Sequence, residues 1–480
     1  MAVFYNAGET KKRPGVYQRH SNVGFDSLSA AQDGICAIPV KANWGPVGKV
    51  LKNTLASDLE KNYGSGEYGT NYTVPAASAM FEGGASVVYT YRLGTGGTAA
   101  SIALKDTADG PQDAVAITAK YPGSRAFTCS VRAKLSDPTV KEVLIYDGTK
   151  TVERFEIAAG GDEAAALVAA AEASQSFIVT RQGGYSGAGT LANVSNSAFT
   201  PGTNPTVANE DYSAAFAALE PYYYNTIALD VDDDSNMTLS LLLQSYLDSA
   251  YQMGKLGVAV VGEKATVPFE TRCVHAKAYN DAKVVYLGGG WDTVSGKRDG
   301  VMAICYTAGL IASTPTTQGI THTVVKGATD VLEALTYAQY EQAIDSGMLM
   351  VSLSPDGSVW YDTGINTLTA PDSDTQDAGW KKIRRVKTRF ELIDRLDREL
   401  GPKVGKVSCD SDGVADIIQT GQRVLDAMAN EGKLLSGATF TEDSSNPHGG
   451  DSAWFVIQAD DIDSLEKIYL LYQFRYSQNT

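Results

Sequence analysis

The sequence predicts a multidomain α/β and α+β chain, with a β-rich insertion inside an alternating core, an α+β region after it and extended arms at both ends. Three observations lead there. The 480 residues correspond to about three domains of ordinary size. The hydrophobic period changes twice, to short alternating runs near Gly94 and back again near Asn209. The 47 glycines and 25 tyrosines exceed average usage and favour turns and half-buried strands.

Taken in order, residues 1–25 hold only Val3-Phe4-Tyr5 and Val16-Tyr17 as apolar points, too little to fold alone, and are expected to form an arm. Residues 26–93 read as the first part of an α/β unit: strand Ile35–Val40, helix Val74–Glu82, strand Ser86–Tyr91. Residues 94–209 carry the alternating runs Ala114–Lys120, Phe127–Lys134, Glu142–Tyr146, Thr151–Ile157 and Ser176–Arg181, with one helix at Asp162–Ala173. Asp147-Gly148 predicts a type I′ hairpin, and the glycine-rich flanks predict flexible hinges.

From residue 210 to 370 the order is βαβαβ: strand Thr226–Asp230, helix Met237–Met253, strand Gly257–Val261, helix Phe269–Asp281, strand Val284–Leu287. Parallel strands need such crossovers. Helices at Asp299–Ile311 and Asp330–Ser346 follow, and Ser354-Pro355-Asp356-Gly357 predicts a hairpin closing the sheet. Residues 371–463 hold two amphipathic helices. The first, Val386–Leu400, aligns Val386, Phe390, Ile393, Leu396 and Leu400, with pairs Glu391–Arg395 and Asp394–Arg398 on its wet face. The second, Val414–Ala429, turns Ile417, Ile418, Val424, Leu425 and Met428 inward. In residues 464–480, Ile468, Leu470, Tyr472, Phe474 and Tyr476 alternate on one face of a strand that needs a sheet to join.

Charge narrows the function. With 40 Lys+Arg against 56 Asp+Glu the net charge is −16, which disfavours nucleic acid as a partner. No apolar run approaches the roughly 20 residues of a membrane span, and no secretory pattern opens the chain, so an intracellular protein is expected. The five cysteines are scattered without metal-ligand spacing and are expected to be buried free thiols.

Motifs for catalysis fail on inspection. In Gly290–Lys297 five residues separate the glycines and Arg298 stands where a phosphate loop needs Ser or Thr, so a surface turn is expected. Asp232-Asp233-Asp234 lacks the glycine and distal glutamate of a calcium loop and reads as a helix-capping cluster. The four histidines suggest no metal centre. Asp230 and His275 follow a subtilisin-type order, but no serine lies in a strained-turn context. The sequence predicts no catalytic, metal or cofactor site.

One charge concentration stands out: Lys381, Lys382, Arg384, Arg385, Lys387 and Arg389, with no acid between them. It reads either as a solvated face or as a docking stripe for an acidic partner.

Several ordered strings resemble the contractile tail sheath proteins of phages and of phage-tail-like (R-type) bacteriocins of Gram-positive hosts. They are Arg13–Tyr17, Lys41–Gly48 (KANWGPVG), Gly357–Thr369, the run Lys381–Arg389 with its helix, Gly405-Lys406-Val407 and Leu465–Leu470. The resemblance covers the chain outside residues 94–209, where nothing specific is similar and an outer decoration is expected. It implies a subtilisin-like core without a protease site, and a helical homo-oligomer of stacked hexameric rings around a tail tube protein. Baseplate and tail terminator proteins would be further partners, and contraction would need no nucleotide. It also implies that the arms, at Val3, Phe4, Tyr5, Val16 and Tyr17 and at Ile468, Leu470, Tyr472, Phe474 and Tyr476, add strands to neighbouring subunits. Lys381, Lys382, Arg384, Arg385, Lys387 and Arg389 would face the tube. The rivals are an active subtilisin-like hydrolase, which would need an activated nucleophile, and a surface-layer or adhesin-type protein, which would need an export signal.

Overall fold

A computed structural model describes residues 3–4, 17–18, 33–187, 189–232 and 237–475. The chain divides into a larger unit, residues 32–391 with 461–480, and a smaller one, residues 392–460 with 1–31.

Near the start, β1 (Val3–Phe4) pairs in parallel with β2 (Tyr17–Gln18), Val3 opposite Tyr17. Next come β3 (Ile35–Val40), β4 (Val50–Asn53), α1 (Ala56–Tyr63), α2 (Val74–Gly83) and β5 (Val87–Arg92). The segment that follows contains β6 (Ser101–Lys105), β7 (Asp113–Ala119), β8 (Thr128–Lys134), β9 (Asp137–Asp147), β10 (Lys150–Ala158), α3 (Glu163–Ala170), β11 (Phe177–Arg181) and β12 (Val194–Ala198). They form a sheet ordered β10-β9-β8-β12 and another ordered β11-β7-β6, around a core of Trp44, Phe127, Ile145, Leu167 and Phe177. All the pairings within these two sheets are antiparallel.

Two expectations fail here. The hairpin turn is Gly148-Thr149, since Lys150 pairs with Asp147. Only Gly148 of those two has positive φ (58°), as type II′ and not type I′ requires. The glycine flanks are not free hinges either, because Thr95 bridges to Thr206 and Thr98 to Thr203.

The chain then returns through α4 (Asn209–Leu219), β13 (Thr226–Ala228), α5 (Thr238–Gln252), β14 (Val258–Gly262), α6 (Phe269–Tyr279) and β15 (Val284–Leu287). The hairpin β16 (Trp291–Thr293) and β17 (Gly296–Arg298), α7 (Val301–Ser313), β18 (Ala328–Val331), α8 (Tyr337–Asp345) and β19 (Met348–Leu349) follow, and then β20 (Val351–Leu353) and β21 (Val359–Tyr361). The main sheet has order β19-β15-β14-β13-β3-β5-β4, parallel but for edge strand β4. One face is packed with residues such as Met80, Ile304, Ile311 and Val386, and the other with Phe216, Leu243, Leu247 and Phe269. Such double coverage explains the nearly unbroken apolar runs of β13 to β15.

The expected helix Asp330–Ser346 is instead strand β18 and a shorter α8, capped by Thr336, whose hydroxyl accepts from Gln339 N. The expected closing hairpin β20-β21 is a separate two-stranded sheet, while β19 joins the main sheet in parallel. Of the expected turn Gly290–Lys297, Trp291 is buried in β16.

In the smaller unit, the later residues of α9 (Ile383–Leu400) and α10 (Ser411–Asn430) bury Leu396, Val424, Leu425 and Met428 together with Phe440. Asp410 caps α10 by accepting from Gly413 N at 2.9 Å. The hairpin β22 (Thr439–Glu442) and β23 (Phe455–Gln458) completes the unit. Asp394 and Arg398 pair at 2.6 Å as expected. Ile393, expected inward, is 41% exposed, while Glu391 and Arg395, expected on a wet face, are both buried.

Candidate functional site

The residues expected to matter fall in three places: the basic run at the start of α9, and the two arms. Helical spacing divides the run. Arg385 and Arg389, one turn apart, share a face, as do Arg384, Lys387 and Thr388. On the first face Arg385 donates from Nε and Nη2 to the two oxygens of Asp461, both at 2.7 Å, a planar fork matching a carboxylate. Arg389 adds Nη2 to the same carboxylate at 3.1 Å and to Asp377 at 3.0 Å, its guanidinium 4.7 Å from the Trp380 ring.

Burial opposes the charge on Asp461, yet the two guanidiniums outweigh it and hold its carboxyl below the ordinary range. The same bond raises Arg385, whereas burial lowers Arg384.

On the second face Arg384 Nε donates to Thr316 O at 3.0 Å and Nη1 to Ser464 Oγ at 3.0 Å. Lys387 reaches the carbonyls of Ile311 and Thr314 at the C-terminal end of α7, where the helix dipole favours a cation. Before the helix, Lys381 donates to Thr369 O at 2.7 Å, and Lys382 pairs with Glu466, which also accepts from Thr321 Oγ1 at 2.8 Å. All six cations are half-buried or buried, so the run is not a solvated face.

Of the arm residues, Val3 and Phe4 lie in β1 and Tyr17 in β2, paired within the chain. Tyr5, Val16 and Tyr476 fall outside the described residues. Ile468, Leu470, Tyr472 and Phe474 are 68–92% exposed, and residues 462–475 form no strand. The expected strand is thus absent over the described residues 464–475, because backbone N–H and C=O groups form a ladder only against a second strand. The rings of Tyr472 and Phe474 are nearly parallel at 8°, on one side of the segment as their spacing of two predicts.

The residues tested for catalysis are engaged elsewhere. Buried Asp230 accepts from Tyr212 Oη at 2.6 Å, Thr73 Oγ1 at 2.7 Å and Lys41 Nζ at 3.0 Å. His275 Nδ1 lies 2.9 Å from Glu263 Oε2. Of the aspartate cluster, Asp232 accepts from Val301 N at 2.7 Å and pairs with Lys264; Asp233 and Asp234 lie outside the described residues. Among the described residues no group of three or more His, Cys, Asp or Glu could hold a metal, and no helix is long and apolar enough to cross a membrane. Four cysteines are buried as expected, but Cys409 is exposed.

What sequence reading missed is the acidic counterpart of the basic run. Asp461, Ser464 and Glu466 follow one another closely, and this polar spacing before the apolar tail was the available signal.

Residues 206–367 match the family model for the phage tail sheath protein central domain. The phage-like element PBSX protein XkdK of Bacillus subtilis is 24% identical over 407 residues, 82% of this chain and 81% of XkdK. The crystal structure of the sheath tail protein from Desulfitobacterium hafniense superposes with a TM-score of 0.69 at 18% identity, over 93% of this chain and all of that one. The sheath of an extracellular contractile injection system, PVC, in its contracted state gives 0.55 at 9% identity, over 97% of this chain and 98% of that one. The class is therefore that of the tail sheath fold, and these likenesses are to structural sheath proteins and not to enzymes. The family match to residues 206–367 and the resemblance read from the sequence point to the same class of protein.

Proposed function

We propose that this chain is the subunit of a contractile tail sheath, polymerising into a helical sleeve of hexameric rings around a tail tube and shortening to drive the tube through a bacterial envelope. The observation that carries this beyond the fold is the segment 467–475, apolar on alternate positions, exposed and without a sheet partner among the described residues. Such a segment is stable only when a neighbour supplies the ladder. A second copy would find a fitting acceptor in the hairpin β22-β23, a sheet of two strands in which Val456 and Ile457 are exposed, with exposed Trp454 just before β23.

The N-terminal arm at Val3, Phe4, Tyr5, Val16 and Tyr17 would join neighbours in the same way, opening the short β1-β2 pairing to do so. Assembly in the host cytoplasm, then residence in a phage or R-type bacteriocin tail with baseplate and terminator proteins at its ends, belongs to this reading. So do a subtilisin-like descent of the main sheet and a division into arm (1–25), split core (26–93 and 210–370), insertion (94–209), α+β domain (371–463) and arm (464–480). No nucleotide is required, since the energy would reside in subunit contacts that are collectively better in the short lattice.

The tube-facing role for Lys381–Arg389 competes with the intrachain partners of these cations, so a tube contact would require Lys382, Arg385 and Arg389 to exchange an acidic partner, and Lys381, Arg384 and Lys387 a carbonyl or hydroxyl one. Negative-stain microscopy of concentrated protein tests the main reading. Striated tubes are expected from the full chain and only monomers after removal of residues 465–480; equal polymerisation of both would refute arm exchange.

A further inference from the structure

We infer that the basic opening of α9 is the anchor of the chain's own C-terminal arm: it fixes residues 461–466 to the larger unit and makes residue 467 the point from which the arm is free to leave. This rests on the arm reading above and adds where the arm is held and by what. Three acceptors in six residues meet four donors on one stretch of chain, Lys382, Arg384, Arg385 and Arg389. Asp461 takes the fork of Arg385 and a third bond from Arg389, Ser464 takes Arg384, and Glu466 takes Lys382 and the Thr321 hydroxyl.

Asp461 has a side chain only 7% exposed, so its pairing is little screened by salt, and losing one partner would leave buried charge. Glu466 closes the row at 17% side-chain exposure. Within 461–466 the exposed Asp463 and Leu465 alternate with the anchored residues, whereas from 467 to 475 every residue is exposed, Ile468 and Leu470 at 71% and 68% and Tyr469 and Leu471 at 88% and 84%. A pull on the free part therefore passes through Glu466, Ser464 and Asp461 into α9, and from Arg384 and Lys387 into the carbonyls that end α7 and the loop after it. The basic run has this internal work whether or not it also meets a tube.

The test uses the full chain with Cys409→Ser, which removes the one exposed thiol, and a nitroxide spin label at Leu465→Cys or at Leu470→Cys, two positions exposed in the monomer. Expected is an immobilised label at 465 and a mobile one at 470, with 465 becoming as mobile as 470 when Asp461→Asn and Glu466→Gln are combined. Should that pair compromise folding, Lys382→Gln alone, at the rim of the row, is expected to raise mobility at 465 without altering the circular dichroism spectrum. Equal mobility at 465 and 470 in the unaltered background would overturn the anchor, as would immobilisation at 465 that survives all these substitutions. The readout needs no polymer, so failure of the chain to form tubes would count against the sheath reading and leave this result standing.

Discussion

Gly83 of α2 and Gly309 of α7 form a reciprocal contact in which each helix lies against the other's backbone. A Cβ on Gly83 would collide with the carbonyl oxygen of Tyr306, and one on Gly309 with that of Met80. Neither glycine needs positive φ; each is required for its lack of a side chain. Gly309→Ala is expected to cost about 1–3 kcal/mol by overpacking, partly offset by the better helix propensity of alanine, about 1 kcal/mol. Urea unfolding measures it, and an unchanged midpoint would mean that the two helices separate without penalty.

Trp44 belongs to a loop of the main α/β layer but packs inside the core of the inserted sheets, edge-on to Tyr121 and Phe127. Arg125 lies 4.9 Å from its ring centroid and pairs with Asp147 at 2.7 Å, while buried Arg92 holds the loop through Ala42 O and Gly45 O. Trp44→Ala is expected to lower stability by about 3–5 kcal/mol. It should also open the junction at Thr95–Thr98 to protease in the native state. Resistance equal to that of the unaltered chain would show that the insertion is held elsewhere.

Thiol chemistry should single out Cys409. Burial pushes Cys36 and Cys129 up to about 12 and Cys305 well above its ordinary value, and Cys273 is also buried and raised. Titration with a thiol reagent is expected to modify one cysteine rapidly in native protein and five in denaturant. Rapid modification of two or more in the native state would contradict this packing.

Acid should loosen the smaller unit. Glu431 accepts from Arg395 at 2.8 and 2.7 Å and pairs with Lys433 at 2.7 Å, and these bonds lower its carboxyl to about 2. A folded pKa below the unfolded value gives stability that is present above the unfolded value, near 4.3, and lost as pH falls toward 2. Because the Glu431 side chain is 40% exposed, the contribution is discounted to on the order of 1 kcal/mol. Glu431→Gln should flatten the acid limb of a stability-against-pH curve over that window, and an unchanged limb would assign the acid sensitivity to other carboxylates.

The legible parts of the fold were those whose local pattern and packing agree. β14, β15, α5 and α10 were readable from continuous apolar runs or a regular inward stripe, because burial on both faces or on one face leaves that signature. β6 and β12 were not recognised, since both are short and β12 is largely exposed in Val194–Ala198. The start of α8 is not legible, because Thr336 restarts the chain as a helix after a strand that has no strong alternation. At the site, the position and charge of Lys381–Arg389 were plain, but their employment was not: a run of cations has the same sequence whether water or a buried aspartate faces it.

The sequence by itself determined the alternation of strand and helix, the interruption by a β-rich segment, the concentration of cations at the start of α9 and the apolar period of the last residues. Those properties follow from local spacing and composition, which the chain carries in any conformation. Only the tertiary structure decided that Asp461 would meet Arg385 and Arg389, that Trp44 would enter a neighbouring core, and that Ile468, Leu470, Tyr472 and Phe474 would stay exposed. Each depends on which distant segment occupies the adjoining space, and the free energy of a charge or an apolar side chain is set by that neighbour.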